Sequence, residues 1–281
     1  MARNAKRVER IKQIGRDSAR VTIIATQWTG ERLLDLSMWP VNLIRDLPLR
    51  VARLAVTLWR GLRGLLGAFP GSAQALWHGG PSGLADWAWH GIQRSGAWLG
   101  RLVMQILDLV GIPELFSLFW RAATHSSPLT GAEIAALAEV LGPMALRYRD
   151  VRVAEGGILR LVFALNKGRA FTTFYTVSMP DKGPHSRANL PILVHELVHV
   201  YQHERLGSAY IGECLHAQAT NGYEYGGPLG LREAEAQGKH YCDFNREQQA
   251  RIVQDYFAHL CHLWDASDYR PFIDEMCRGK I

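Results

Sequence analysis

The chain has 281 residues, 48% of them hydrophobic and 10% aromatic, which excludes a disordered protein and allows one large core or two modest ones. Its net charge of +6 is uneven: residues 1–63 hold 13 Lys/Arg against 5 Asp/Glu, and the rest is slightly acidic. No nucleic-acid partner is expected, since only that N-terminal charge would speak for one.

Residues 1–20 read as a basic lead, frayed or helical, Arg3 to Arg20, running into Val21–Ala25, a patch too short and polar for the core of a secretory signal. Residues 40–67 read as an amphipathic helix. Arg50, Arg53, Arg60 and Arg63 recur at helical spacing between Val51, Leu54, Leu58 and Leu62. Such a stripe suits an anionic membrane surface; the alternative is a packed helix whose arginines face water. Residues 68–98 mix Gly, Ser and Pro with Trp77, Trp87, Trp89 and Trp98, loop chemistry that fits a partner's groove, a membrane interface or a staple between helices. The most apolar stretch, Leu99 to Trp120, carries Arg101, Asp108 and Glu114 and is not expected to span a bilayer. Eight of the nine tryptophans precede residue 126, and a linker is expected over Ala122 to Pro128. The division is thus a basic, Trp-rich, mostly α-helical module at 1–125 and a second domain at 129–281.

That domain opens with a capping box, Thr130 to Glu133, and an apolar face of Ile134, Leu137, Ala138 and Leu141. Strands are expected at Val151–Val153 and Ile158–Leu165 about a Gly156-Gly157 turn, and at Ala170–Val177. Next comes His195-Glu196-Leu197-Val198-His199 in an apolar run, with Asn189 as N-cap, Pro191 in the first turn and Gly207 as stop. Two histidines four apart share a helix face and can hold one zinc ion, while Glu196 can take a proton from water at the metal's open position. The bland alternative is a pair of hydrogen-bonded core histidines and a salt-bridged glutamate.

A catalytic zinc needs a third protein ligand. His203 shares the face but lies about 12 Å along the axis from His195, too far for ligands about 2 Å from one ion. It is expected to be a supporting or surface residue. Asn245 caps a strong helix with Glu247 in its first turn, and Glu247 is the favoured third ligand. Glu224, Glu233, Glu235 and His240 compete. Tyr223 or Tyr225 could donate to a developing oxyanion, although a core role is the simpler one for either. Cys214, Cys242, Cys261 and Cys277 have no C-x-x-C spacing and are expected to be free thiols.

His195 to Gln202 resembles the H-E-L-x-H-V-x-Q core of zincin-like metallopeptidase domains in bacterial Vgr-related and Rhs-type secretion-associated proteins. Ala145–Val153, Tyr223–Tyr225 and Phe244–Ala250 with Asp255-Tyr256 match in order, so the likeness covers roughly residues 129–260. It implies an α+β zincin-like domain, a small β-sheet plus the H-E-x-x-H helix, with zinc on His195, His199 and Glu247. The expected activity is zinc-dependent hydrolysis of a protein or peptide substrate, with Glu196 as the catalytic base. The expected setting is the bacterial cytoplasm, with export by a secretion system that needs no signal peptide and a partner in that machinery. The alternatives are an inactive zinc-binding adaptor domain, or a membrane-active N-terminal module that the zincin domain carries.

Overall fold

A computed structural model of the chain describes the backbone of residues 2–281 except Met144, and the side chains of residues 39–281 except Phe69 and Met144. The side chains of the basic lead, of Val21–Ala25 and of Trp28 lie outside the described residues. The chain divides into two units, Met1–Arg45 and Asp46–Ile281, and the motif helix belongs to the second.

Helix α1 (Ala2–Leu109) is broken at Gly80, whose φ of 58° and ψ of −152° favour glycine. The chain reverses there, and Ser82 Oγ donates to Gly79 O at 3.0 Å. Residues 46–79 and 81–109 are antiparallel arms. Trp98 Nε1 donates to Thr57 O at 2.8 Å. A Cβ at Gly61 would stand 2.6 Å from the Trp98 ring, and one at Gly71 would stand 2.9 Å from Trp87. The stretch at 68–98 is therefore helical and not a loop, and some of its glycines let two helices approach.

The first half of the expected arginine stripe turns inward. Arg50 is 6% exposed, pairs with Glu114 and donates to Asp108 O. Arg53 donates to Glu204 O at 3.1 Å. Asp108 accepts from the backbone N–H (2.9 Å) and the hydroxyl of Ser208. Helix α2 (Ile112–Ala123) follows, and Trp120 donates to Ser178 Oγ at 3.1 Å.

The stretch expected as a linker is instead strand β1 (His125–Pro128). It pairs antiparallel with β2 (Arg152–Glu155), which runs parallel to β4 (Thr176–Ser178), itself antiparallel to β3 (Phe171–Thr173). The sheet order is β1-β2-β4-β3. Two strand expectations fail. Ile158–Leu165 contains helix α4 (Leu159–Leu165), burying Leu159 and Phe163 four apart and exposing Leu161 and Leu165. A continuous apolar run has no period to separate helix from strand, and Gly156 and Gly157, both at positive φ, lead into the helix. Ala170–Val177 is two strands, because Phe174 takes a φ of 56° and turns the chain.

Helix α3 (Gly131–Leu141) has its capping box, with Thr130 N–H on Glu133 at 2.6 Å and Glu133 N–H on Thr130 Oγ1 at 3.2 Å. Helices α5 (Leu190–Leu206), α6 (Ala209–Ala219), α7 (Gly227–Ala236), α8 (Arg246–Cys261) and α9 (Arg270–Cys277) complete a mostly helical α+β fold. One core joins α5, α7, α8 and α9 to the sheet: Leu193, Leu197 and Val200 of α5 meet Val153 and Val177 of the sheet and Ile252 of α8, while Tyr210 and Cys214 of α6 form a smaller cluster with Phe174.

Candidate metal centre

Helix α5 is buried along its centre, from Leu193 to His203. Pro191 stands in its first turn. Asn189 holds the N-cap position without capping; its amide donates to Pro184 O at 2.6 Å instead. At the other end Gly207, with a φ of 70°, donates its N–H to His203 O at 2.8 Å.

Four residues of helix bring His195 and His199 to one face, with ring centroids 5.0 Å apart. Facing them is the first turn of α8, α5's main packing partner. Asn245 caps that helix by accepting from Gln248 N–H at 2.9 Å, which sets Glu247 on the inner side with 1% exposure. Glu247 Oε2 lies 3.3 Å from His195 Nε2 and 3.5 Å from His199 Nε2. The three candidate ligand atoms all fall within 4.8 Å of one another. Atoms about 2 Å from one tetrahedral ion stand roughly 3.3–3.5 Å apart, so both distances to Glu247 suit a shared cation. This group could hold a metal ion.

A second ring of contacts fixes it. Gln218 Nε2 donates to Glu247 Oε1 at 2.7 Å, leaving Oε2 for the histidines. His199 Nδ1 is 2.8 Å from Gln202 Oε1, whose amide nitrogen donates to Arg246 O and Gln249 Oε1. With its proton on Nδ1, His199 directs an Nε2 lone pair at the centre. Cys214 Sγ lies 3.5 Å from the same Nδ1, whereas Nδ1 of His195 has no partner among the described residues. Burial alone would push the Glu247 carboxyl up, but the hydrogen bonds and charges of His195 and His199 outweigh it and hold it below the usual carboxylate range. Burial would likewise lower His199, and Cys214 and Glu247 outweigh it and raise it. A cation held between the three groups would replace any proton on the imidazole nitrogens that face Glu247.

Glu196 is buried beside this group, and Thr172 Oγ1 of β3 lies 2.7 Å from its Oε2. The Tyr223 ring is 5.7 Å from His195, and burial, then Glu247, pushes its phenol up to about 12. Tyr225 points elsewhere, donating to Asp255 at 2.8 Å. His203 is neither ligand nor surface residue; it is buried between the rings of Phe174, Tyr175 and Tyr210. The competing ligands fall away: Glu224, Glu233 and Glu235 are exposed, and His240 pairs with Glu275 at 2.7 Å. All four cysteines are free, and only Cys214 is buried.

β3 is an edge strand of the sheet, next to the motif helix. Its centre is closed, however, because Tyr210 Oη donates to Thr172 O at 3.1 Å and accepts from Phe174 N–H at 3.0 Å. Sequence reasoning gave no role to Gln202, Gln218, Thr172 or Tyr210. The three-residue step from His199 to Gln202 was a usable signal; the others come from distant elements and left none. No protein family, curated protein or solved structure matches the chain, which stands as a mostly helical α+β protein with a buried His195–His199–Glu247 group able to hold a metal ion.

Proposed function

We propose that the chain is a zinc-dependent metallopeptidase of zincin type, working with a bacterial secretion system as effector or processing enzyme. The observation that carries this reading is the convergence of two imidazole Nε2 atoms on one carboxylate oxygen, at 3.3 and 3.5 Å. Two imidazoles and a carboxylate suit zinc better than the all-oxygen shells of magnesium and calcium. The likeness of His195–Gln202 to secretion-associated zincin-like domains supports the setting.

When bound, zinc supplies Lewis-acid activation of water and of a scissile carbonyl. Glu196, its carboxylate oriented by Thr172, accepts the proton of the attacking water and passes it to the leaving amine. In this reading Tyr223, whose ring lies 5.7 Å from that of His195, donates to the oxyanion.

A second reading, a metal-holding adaptor domain without catalysis, is favoured by two observations: Glu196 is only 6% exposed, and Tyr210 closes the centre of the β3 edge. Elemental analysis and a peptide-hydrolysis assay on the same purified chain separate the two. About one zinc per chain is expected, lost in His199→Ala. Glu196→Gln should keep zinc and fold while hydrolysis drops about a hundredfold or more. Zinc retained in His199→Ala sinks the ligand set. Zinc present with no hydrolysis by the parent, across varied peptides, selects the adaptor.

A further inference from the structure

We propose that the α1 hairpin is an amphipathic membrane-binding element that lies in the plane of an anionic lipid surface, with Leu58, Leu62, Leu65, Leu76, Ile92 and Leu99 toward the lipid. The pattern is set by where the two arms touch. The partly or fully covered residues include Thr57, Gly61, Ala68 and Ala75 on one arm and Trp87, Gly91 and Trp98 on the other. The residue after a contact position is repeatedly apolar and exposed: Leu58, Leu62 and Leu76, then Ile92 and Leu99. The residue before four of these positions is polar, Arg60 and Gln74, then Asp86 and His90, while Val56, Gly67 and Ala97 precede the other three. One residue turns a helix by about 100°. In antiparallel right-handed helices that turn leads to the same side of the pair from both arms. The hairpin therefore has one apolar face and one polar face.

Large apolar side chains on that face stay in water within this chain. Leu65 is 75% exposed and Ile92 64%, and Trp59, Trp77 and Trp89 are exposed at 57%, 86% and 61%. Meanwhile small residues fill much of the seam between the arms. A soluble hairpin would bury the leucines first. Lipid is favoured as occupant by charge. Arg60, Arg63 and Arg94 are exposed and make no ion pair among the described residues, and Asp86 is the sole acidic residue from 47 to 107. Leu and Trp on one face with arginine on the other describe a helix that rests at the headgroup boundary, and exposed tryptophans suit the same depth. A second copy seated on this face would bring these cationic hairpins together. Among the described residues no single helix is long and apolar enough to cross a membrane, although the bent pair Pro70–Leu109 and Ile112–Ala123 together has the length and composition to do so. Arg60 and Arg63 belong to the stripe read in the sequence, whereas Arg50 and Arg53 are consumed inside the protein.

The test is flotation of the full chain with phosphatidylcholine vesicles with and without phosphatidylglycerol, together with tryptophan quenching by brominated lipid. Binding should require phosphatidylglycerol and fall with salt. Leu62→Glu, Leu76→Glu and Ile92→Glu, all at exposed sites, should keep the parent's melting curve and each weaken binding about tenfold or more. Gln74→Ser and Gln93→Ser, off the apolar face, should leave it unchanged. Trp77→Phe should remove part of the quenching. The basic residues before 39 also attract anionic vesicles, so flotation of the glutamate variants equal to the parent's would overturn the proposal. So would unchanged quenching in Trp77→Phe. A dimer that the glutamate variants abolish, in a chain that ignores vesicles, would assign the face to self-association instead.

Discussion

His203 stands one helical turn beyond His199, contributes nothing to the metal group, and is buried with its Nδ1 unpartnered among the described residues. Burial first, then the charges of Arg53, Arg50 and Arg147, lowers its pKa from 6.5 to about 3. The fold thus refuses a proton that the unfolded chain accepts below pH 6.5. The neutral ring's contribution to stability is complete above that pH and is lost as the pH falls toward 3, at about 1.4 kcal/mol per unit. His203→Phe keeps a ring among Phe174, Tyr175 and Tyr210 and removes the titration. Between pH 7 and pH 5 the parent should lose about 2 kcal/mol more than this variant in urea unfolding. Parallel losses would show that His203 does not set the acid limit. The residue scale also separates the two ligand histidines. His199 is oriented through Gln202, whereas His195 Nδ1 has no hydrogen-bond partner among the described residues.

At the scale of elements, Gly207 ends α5 where two demands meet. Its φ of 70° disfavours any side chain, and a Cβ would collide with the Asp108 carboxylate and the Arg53 guanidinium. Gly207→Ala should therefore cost about 2 kcal/mol or more, seen as a lower melting temperature. An unchanged melt would mean that Asp108 and Arg53 move aside freely. Gly207 was legible in the sequence, as were the Thr130–Glu133 box and the Asn245 cap, because end signals are local. Asn189 was legible as a position but not as a bond, since Pro184 competes for its amide. The strands were legible only where the run was short. Ile158–Leu165 folds as a helix because Leu159 and Phe163 bury together, a choice made by packing and not by pattern. The hairpin was hidden because Gly, Ser and Trp between 68 and 98 carry the composition of loops. Only the facing arm reveals those glycines as contact positions. Glu247 was reachable because the end signal at Asn245 fixed which glutamate falls in the first turn of α8. That it meets both imidazoles is a fact of how α5 packs on α8.

On the scale of the whole molecule, the metal group bridges α5 and α8, two helices of the same core. A ligand that binds only the folded state stabilises it by mass action, by about 2.7 kcal/mol at a hundred times its dissociation constant. Adding a chelator to zinc-loaded protein should lower the melting temperature of the parent and leave His199→Ala unmoved. A chelator-insensitive parent that contained zinc would mean that the ion sits elsewhere. This measurement does not depend on hydrolysis, so it tests the ion's seat under either functional reading.

The knot at the root of the hairpin has a mechanical meaning. Asp108 grips Ser208, Arg53 holds Glu204 O, and Arg50 ties Asp108 to Glu114, so both arms are bolted to the C-terminal end of α5. The arm at 46–79 is about 50 Å long at 1.5 Å per residue. The hairpin's anchors, at Glu204 and Ser208, lie five and nine residues beyond His199. Were the proposed membrane contact to pull on that arm, the pull would meet the chain at the end of the helix that carries both imidazoles.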